Sequence, residues 1–405
     1  MSERLKEFEQ WGEDVIFGRA KGIRASLMRL FLRCASWLFR GLVTLRLNLF
    51  KRGWKKQAHL GTMVISIGNI TMGGTGKTPV VELFARTLRN RGKKVSILSR
   101  GYKSKDLEQV QEWKRQEDGE LVNEEAMPKV VSCGQGVKLS VQYAGDEPYM
   151  LAKNLDEVSV IVDKDRVKAG KFAIQELDSD ILLLDDGMQF LKIAHSIDIV
   201  LVDSNSPFGT GSMIPRGTLR EPPRNLCRAD YIFITKCRQA HNEKLIKKIR
   251  RYNKVAEIIE CTHGPVHLEN VFTGEIKPLT YLDGKYIAAI SGIAVPESFE
   301  EKLTDLGANV LFHRTFSDHY SFSQDDIDSF MRRCIRRDTD FIVTTEKDAV
   351  RFPKPHELDV EVYFLRIEVD ILSGAEYWEK LLSRTCDQPS PVDPLLAFEK
   401  HRNFT

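Results

Sequence analysis

Residues 63–92, MVISIGNI followed by TMGGTGKTP and VVELFARTLRNRG, constrain this chain more than any other stretch. A β-rich apolar run leads into a glycine-rich turn, and helical spacing then runs to Gly92. Strand, glycine-rich turn and helix in that order are what a phosphate-binding loop requires. Gly73, Gly74 and Gly76 let backbone N–H groups curl around phosphate oxygens, and the helix N-terminus adds its dipole. In this reading Thr71, Met72, Gly73, Gly74, Thr75, Gly76, Lys77 and Thr78 line a nucleoside triphosphate. Lys77 reaches the β- and γ-phosphates, and the Thr78 hydroxyl ligates Mg²⁺. Pro79 falls in the first helical turn, where its missing N–H costs nothing. The consensus GxxxxGK[ST] places Gly at position 71, where this chain has Thr71, and the dense GGTGKT partly compensates. A dinucleotide GxGxxG fails, because Pro79 takes the third glycine position after Gly74 and Gly76.

At 405 residues the chain is too long for one ordinary domain. DYIFITK (230–236), YIAAISGIA (286–294), FIVTTEKD (341–348) and VEVYFL (361–366) read as strands, separated by helical stretches such as NEKLIKKIRRYN (242–253). That alternation predicts a second α/β lobe with a mostly parallel sheet. The expected division is a basic amphipathic segment over 1–62, a P-loop lobe over 63–225, a second α/β lobe over 226–385 and a tail over 386–405. The seven cysteines are scattered without a CxxC pair, which fits a reducing compartment and excludes a disulfide scaffold.

Charge is unevenly spread. Residues 1–62 hold 13 Lys/Arg against five Asp/Glu, and no acid occurs between Asp14 and Glu82. Residues 23–50 are densely apolar, with Arg24, Arg29, Arg33, Arg40 and Arg46 breaking every uncharged run, so they cannot form a transmembrane helix. Three readings stand. The favoured one is a helix in a membrane interface, with Phe31, Trp37, Phe39 and leucines inserted and arginines facing lipid phosphates. The others are a buried helix with snorkelling arginines and a nucleic-acid arm, which the bulky apolar content disfavours. Lys51, Arg52, Lys55 and Lys56 add to the case for an anionic surface.

Acidic constellations follow. ILLLDDGMQF (181–190) is a buried-type strand ending in Asp185 and Asp186, where a P-loop protein places the acid that holds Mg²⁺ or its water. Asp146 and Glu147 begin a helical stretch, either as functional acids or as a helix cap with a first-turn acid. VIVDKDRVKAG (160–170) brings Lys164, Arg166 and Lys168 after a strand, and IPRGTLREPPR (214–224) carries Arg216, Arg220 and Glu221. TFSDHYSFS (315–323) sets Asp318 and His319 in a polar loop. TKCR (235–238) has Arg238 where a base-reading TKxD has its acid, which argues against guanine.

Taken in order, ISIGNITMGGTGKTPVVE, LSRGY, GDEP, DKDR, LLDDGMQ, LREP, SDHYSF and TTEKDAV resemble the tetraacyldisaccharide 4′-kinase family of lipid A biosynthesis, over roughly residues 25–370. The resemblance implies two α/β/α sandwich lobes joined by a short two-stranded linker, with the P-loop in the first. It implies ATP and Mg²⁺ as cofactors and, as substrate, the 4′-hydroxyl of a tetraacylated glucosamine disaccharide 1-phosphate. It implies peripheral action at the cytoplasmic face of the inner membrane, with an anionic surface and an acylated disaccharide as partners and no nucleic acid. It carries the base over to Asp146, oriented by His319, the metal and nucleotide acids to Glu147, Asp185 and Asp186, and polar contacts to Arg166, Gln189, Arg220 and Glu221. Here the family's DDGFQH reads DDGMQF, with Met188 and Phe190 in place of Phe and His. The polar stretch 103–130 reads as a variable surface loop. The rival classes are a P-loop ATPase or GTPase acting as a switch, and a nucleotide-binding scaffold at the membrane.

Overall fold

The computed structural model describes residues 11–102, 104–105, 127–293, 295–318, 320–353 and 360–387. In chain order its first half comprises α1 (Ile23–Lys51), β1 (Met63–Asn69), α2 (Lys77–Asn90), β2 (Val95–Ser99), β3 (Lys129–Cys133), α3 (Val141–Ala144), α4 (Asp146–Asn154), β4 (Val158–Val162), α5 (Arg166–Leu177), β5 (Ile181–Asp185), β6 (Ile197–Asp203), β7 (Tyr231–Thr235), α6 (Glu243–Arg250) and β8 (Glu257–Asn270). β1 is buried at every position, as a strand covered on both faces of a parallel sheet must be. It pairs in parallel with β5 and β6. Beyond β5 lie β2, β4 and the antiparallel edge β3, and beyond β6 lie β7 and β8. β1 is therefore central, and the turn after it opens at the carboxyl ends of the parallel strands, where open α/β sheets bind ligands.

The second half adds β9 (Ile276–Pro278), β10 (Tyr286–Ser291), α7 (Pro296–Asp305), β11 (Asn309–Thr315), α8 (Gln324–Arg336), β12 (Phe341–Thr345), α9 (Glu346–Ala349), β13 (Val362–Ser373) and α10 (Ala375–Cys386). The α/β class holds, but the two halves do not have separate sheets. β8 runs parallel to β7 over its first residues and antiparallel to β13 from Glu260 to Asn270, while β13 also pairs in parallel with β12. This long β8–β13 pair fuses both halves into one sheet of 13 strands.

Packing divides the chain differently from a cut at residue 225. Tyr231, Phe233, Cys261 and Val369 join the core around β1, together with Trp378, Leu381 and Leu382 of α10. The Trp378 ring meets Phe84 and Phe233 edge-on at 5.0 and 6.0 Å. The second half has its own cores on two faces, under α7 and under α8. The chain leaves the first half along β8 and must return along its antiparallel partner, so α10 closes the first core.

α1 is amphipathic, as expected. Ala25 and Ser36 are its buried residues, so it is not a buried core helix. Leu27, Leu30, Phe31, Trp37, Leu38, Leu42 and Leu45 are exposed on its outer side. Phe39, expected among the inserted residues, faces inward with Val43 against the core of Met213, Leu226 and Ile249. Among the described residues no helix is long and apolar enough to cross a membrane. The surface loop expected over 103–130 and the tail expected from 386 fall largely outside the described residues.

Candidate active site

The glycine-rich turn runs from the end of β1 into α2, whose N-cap is Gly76 at φ +77°, a left-handed conformation that suits glycine. Met72, Gly73 and Gly74 are exposed, and Thr71 and Thr75 are buried. Asn69, the last residue of β1, donates to the Thr75 hydroxyl at 2.9 Å, and its own oxygen lies 3.5 Å from Lys77 Nζ. Lys77 also stands 3.6 Å from Asp186. Asp186, at φ +53°, is held by Arg220 Nη1 at 2.9 and 2.7 Å from its two oxygens.

Asp185 closes β5 in a buried position and accepts a hydrogen bond from Ser99 at 3.1 Å. Burial pushes its carboxyl up to about 6, reinforced by Asp186 and Glu147 and opposed by Lys77 and Arg166. Burial also works to raise Asp186, yet Lys77 and Arg220 outweigh it and hold that carboxyl below its ordinary range. Two adjacent acids thus acquire opposite character. Arg166, buried at the start of α5, donates to the Asp186 carbonyl at 3.3 Å, and its guanidinium lies 5.2 Å from the Phe190 ring. Phe190 therefore supplies an aromatic face to Arg166. Lys168 turns aside to pair with Asp163 at 2.5 Å.

Gln189 Nε2 donates to the Asn69 carbonyl and to Glu221, both at 3.0 Å. Glu221 is buried; Arg228 donates to its two oxygens at 2.8 and 2.7 Å and Asn225 donates at 2.6 Å. Glu221 is thus a strut behind Gln189, where sequence reasoning expected a direct contact. α1 reaches the same region, since Arg46 donates to the Gln189 carbonyl at 3.0 Å and the Ser36 hydroxyl donates to the Met213 carbonyl.

Asp146 and Glu147 open α4, whose N-cap is Gly145, so Asp146 is not the helix cap. The second half faces them with α9 and the residues that follow. Lys347 Nζ lies 3.4 Å from Glu147 and 3.4 Å from Asp318. Arg351 Nε lies 3.6 Å from Asp146, and Arg351 Nη2 donates to Asp348 at 2.5 Å. Lys347 thereby bridges the GDEP and SDHYSF motifs across the halves. His319 lies outside the described residues, so the pairing expected with Asp146 does too. Behind this junction Arg366 of β13 donates to Glu82 of α2 and Glu346 of α9, and Asn154 donates to both acids. Burial pushes Glu346 up, with Arg366 opposing it.

Sequence reasoning assigned no role to Asn69, Ser99, Lys347, Arg351 or Arg366. The first four lie in or beside motifs that carry the family resemblance, but a motif alone does not reveal its partner.

The profile of the tetraacyldisaccharide-1-P 4′-kinase family matches residues 28–386. The chain belongs to this family. The tetraacyldisaccharide 4′-kinase of Halothermothrix orenii is 33% identical over 383 residues, 90% of this chain and 95% of that protein. That of Anaeromyxobacter dehalogenans is 35% identical over 349 residues, 85% of this chain and 87% of that one. Among solved structures, LpxK from Aquifex aeolicus in complex with ATP superposes with a TM-score of 0.68 at 28% identity, covering 88% of this chain and 99% of that one. Membership makes the protein an enzyme, an ATP-dependent kinase of lipid A biosynthesis.

Proposed function

We propose that the protein transfers the γ-phosphate of ATP to the 4′-hydroxyl of a tetraacylated glucosamine disaccharide 1-phosphate, working peripherally at the cytoplasmic face of the inner membrane. The observation that carries the reading is the convergence of Lys77, Asp186 and Arg220 on the turn after β1. Lys77 and the turn amides hold the phosphates. Phosphoryl transfer asks a protein mainly for such positioning and charge. ATP, present in the complex of the Aquifex aeolicus relative, is the donor.

Mg²⁺ fits the residues at hand. The Thr78 hydroxyl and the Asp185 carboxylate offer hard oxygen donors, and at phosphoryl sites this ion takes one or two carboxylates plus phosphate oxygens and water. Among the described residues no three His, Cys, Asp or Glu side chains cluster as a self-sufficient metal site, and this one would be completed by the nucleotide. When bound, the ion neutralises charge on the β- and γ-phosphates. Glu147, close enough to raise Asp185, adds to the acidic field around it.

Asp146, directed by His319, accepts the proton of the sugar hydroxyl. Arg166 and Gln189 contact the phosphates or the substrate, and Arg220 fixes Asp186. The four-chained substrate stays in the bilayer. α1 lays its exposed Leu30, Trp37 and Leu38 into that surface, and Arg46 ties it to the Gln189 loop. The deciding experiment supplies γ-labelled ATP and the acylated disaccharide 1-phosphate. Label in the organic-extractable lipid supports the kinase reading, and label only in free phosphate would convert it into an ATPase switch.

A further inference from the structure

The TKCR segment at the end of β7 is not absorbed by the mechanism above. Thr235 is fully buried, and its Oγ1 donates to the Thr75 carbonyl at 2.8 Å. Lys236 Nζ donates to the Gly74 carbonyl at 2.5 Å and is anchored by Asp203 at 2.7 Å. From the next strand, His263 Nε2 lies 3.4 Å from the Gly76 carbonyl. A carbonyl only accepts, so this ring nitrogen carries the proton. Burial lowers the His263 pKa, which favours the neutral ring, and its buried Nδ1 has no partner among the described residues. Three consecutive carbonyls of the turn, those of residues 74, 75 and 76, are thus each held by one side chain, from Lys236 just after β7, Thr235 at its end and His263 of β8.

We infer that Thr235 and His263 are positioning residues that aim the amides of the phosphate turn, while Lys236 holds the Gly74 carbonyl that precedes them. The inference rests on reading residues 71–78 as that turn. The peptide links here are trans, the cis bond of the described chain being Ile214–Pro215. In a planar trans peptide the C=O of one residue and the N–H of the next point opposite ways. Holding the Thr75 and Gly76 carbonyls against β7 and β8 therefore turns the Gly76 and Lys77 N–H groups away from the sheet, toward the open side where phosphate oxygens bind. The Thr75 N–H, which follows the Gly74 carbonyl, folds back to the Gly73 carbonyl at 3.1 Å. Gly76 is also sterically required, since a Cβ there would sit 2.3 Å from His263 Nε2.

His263 has a second significance. It pairs with Val369 in the β8–β13 connection, so the connection between the halves bears directly on the phosphate turn. A histidine that served packing alone would tolerate any isosteric replacement. A positioning histidine needs a donor at Nε2.

The test uses the full chain with Thr235→Val, Thr235→Ser, His263→Leu and His263→Gln, and Lys77→Ala as control. Affinities for ATP and AMP are measured by equilibrium titration with Mg²⁺ present. Thr235→Val and His263→Leu should each weaken ATP roughly three- to tenfold, the worth of one hydrogen bond. AMP affinity should stay at the wild-type value, because AMP lacks the phosphates the amides hold. Thr235→Ser and His263→Gln, which keep the donor, should bind ATP as the wild type does. Wild-type ATP affinity in both Thr235→Val and His263→Leu would overturn the inference, as would an equal loss for AMP or failure of the donor-keeping variants to restore binding. Unchanged ATP affinity in Lys77→Ala would instead remove the phosphate-turn reading itself.

Discussion

Arg351 of the second half stands 3.6 Å from Asp146 of the first while it donates to Asp348 at 2.5 Å. A guanidinium with a side chain only 6% exposed therefore spans the gap between the proposed base and a carboxylate that belongs to the second half's own architecture. Asp348 also accepts from the Gly292 N–H at 2.9 Å and from the Thr345 hydroxyl at 2.6 Å. The position of Asp146 is thus set from across the sheet as well as from its own helix.

Asp146→Ala should lower kcat by about 10²–10⁴-fold, the usual worth of general-base assistance, and His319→Ala by less. If the two act as one unit, the double variant is little worse than Asp146→Ala. Steady-state kinetics on the acylated disaccharide checks this. Strictly multiplicative losses, or a change confined to the ATP KM, would dissolve the pair.

Arg351→Ala should destabilise the fold by about 3–5 kcal/mol, because it strips the partner from a fully buried carboxylate. Burial already raises the Asp348 pKa, and removing the cation raises it further. A carboxyl with a native pKa above its unfolded value favours folding only while protonated, so the variant's deficit should shrink as pH falls. Urea midpoints at pH 5 and pH 8 read this out, and an equal deficit at both would contradict it.

Lys77→Ala should abolish transfer and leave the fold intact. Asp186 keeps Arg220 at 2.7 Å in that variant, so no buried charge is orphaned. Circular dichroism and transfer assays on the same sample decide, and retained activity would end the P-loop assignment.

Asp185→Asn should stabilise the metal-free protein while impairing transfer. The Asp185 carboxyl moves from an ordinary 3.8 to about 6 on folding. Its protonated form favours the native state, so stability falls as pH rises from about 4 to about 6 and is level above. A shift of roughly two units corresponds to about 3 kcal/mol. The neutral amide should recover much of that at pH 7 and flatten the slope, in line with the usual conflict between stability and a charged site. Thermal melts across pH in a chelating buffer test it, and a lower Tm for Asp185→Asn at pH 7 would refute it.

Glutamate at Leu30, Trp37 and Leu38, whose exposures are 59, 67 and 69%, should shift the protein from the membrane fraction to the soluble one with little loss of stability. These substitutions are cleaner than deleting the segment, because Phe39 and Val43 of the same helix belong to a core. Unchanged fractionation would place the membrane contact elsewhere.

The strand, turn and helix of residues 63–92, the strand-end acids 185 and 186 and the amphipathic 23–50 segment were legible in sequence because each is a local pattern. A glycine-rich turn needs its glycines wherever it sits, a strand buried on both faces must be apolar throughout, and a helix with one solvent side repeats at helical spacing. Long-range pairing has no such local signature. Nothing near Glu82 announces Arg366, nothing near Thr75 announces Thr235, and nothing near Asp146 announces Arg351 of the other half or that Gly145 takes the helix cap. Likewise Phe39 and Trp37 are adjacent aromatics on one helix, and only the core beneath α1 decides that one faces inward and the other outward. The type of each element follows from short-range sterics and periodicity. Which charges meet, which acid is pushed up and which is held down depend on contacts between segments apart in sequence, some within the first half, as Lys77 with Asp186, and some made only where β8 and β13 join the two halves into one sheet, as Arg366 with Glu82.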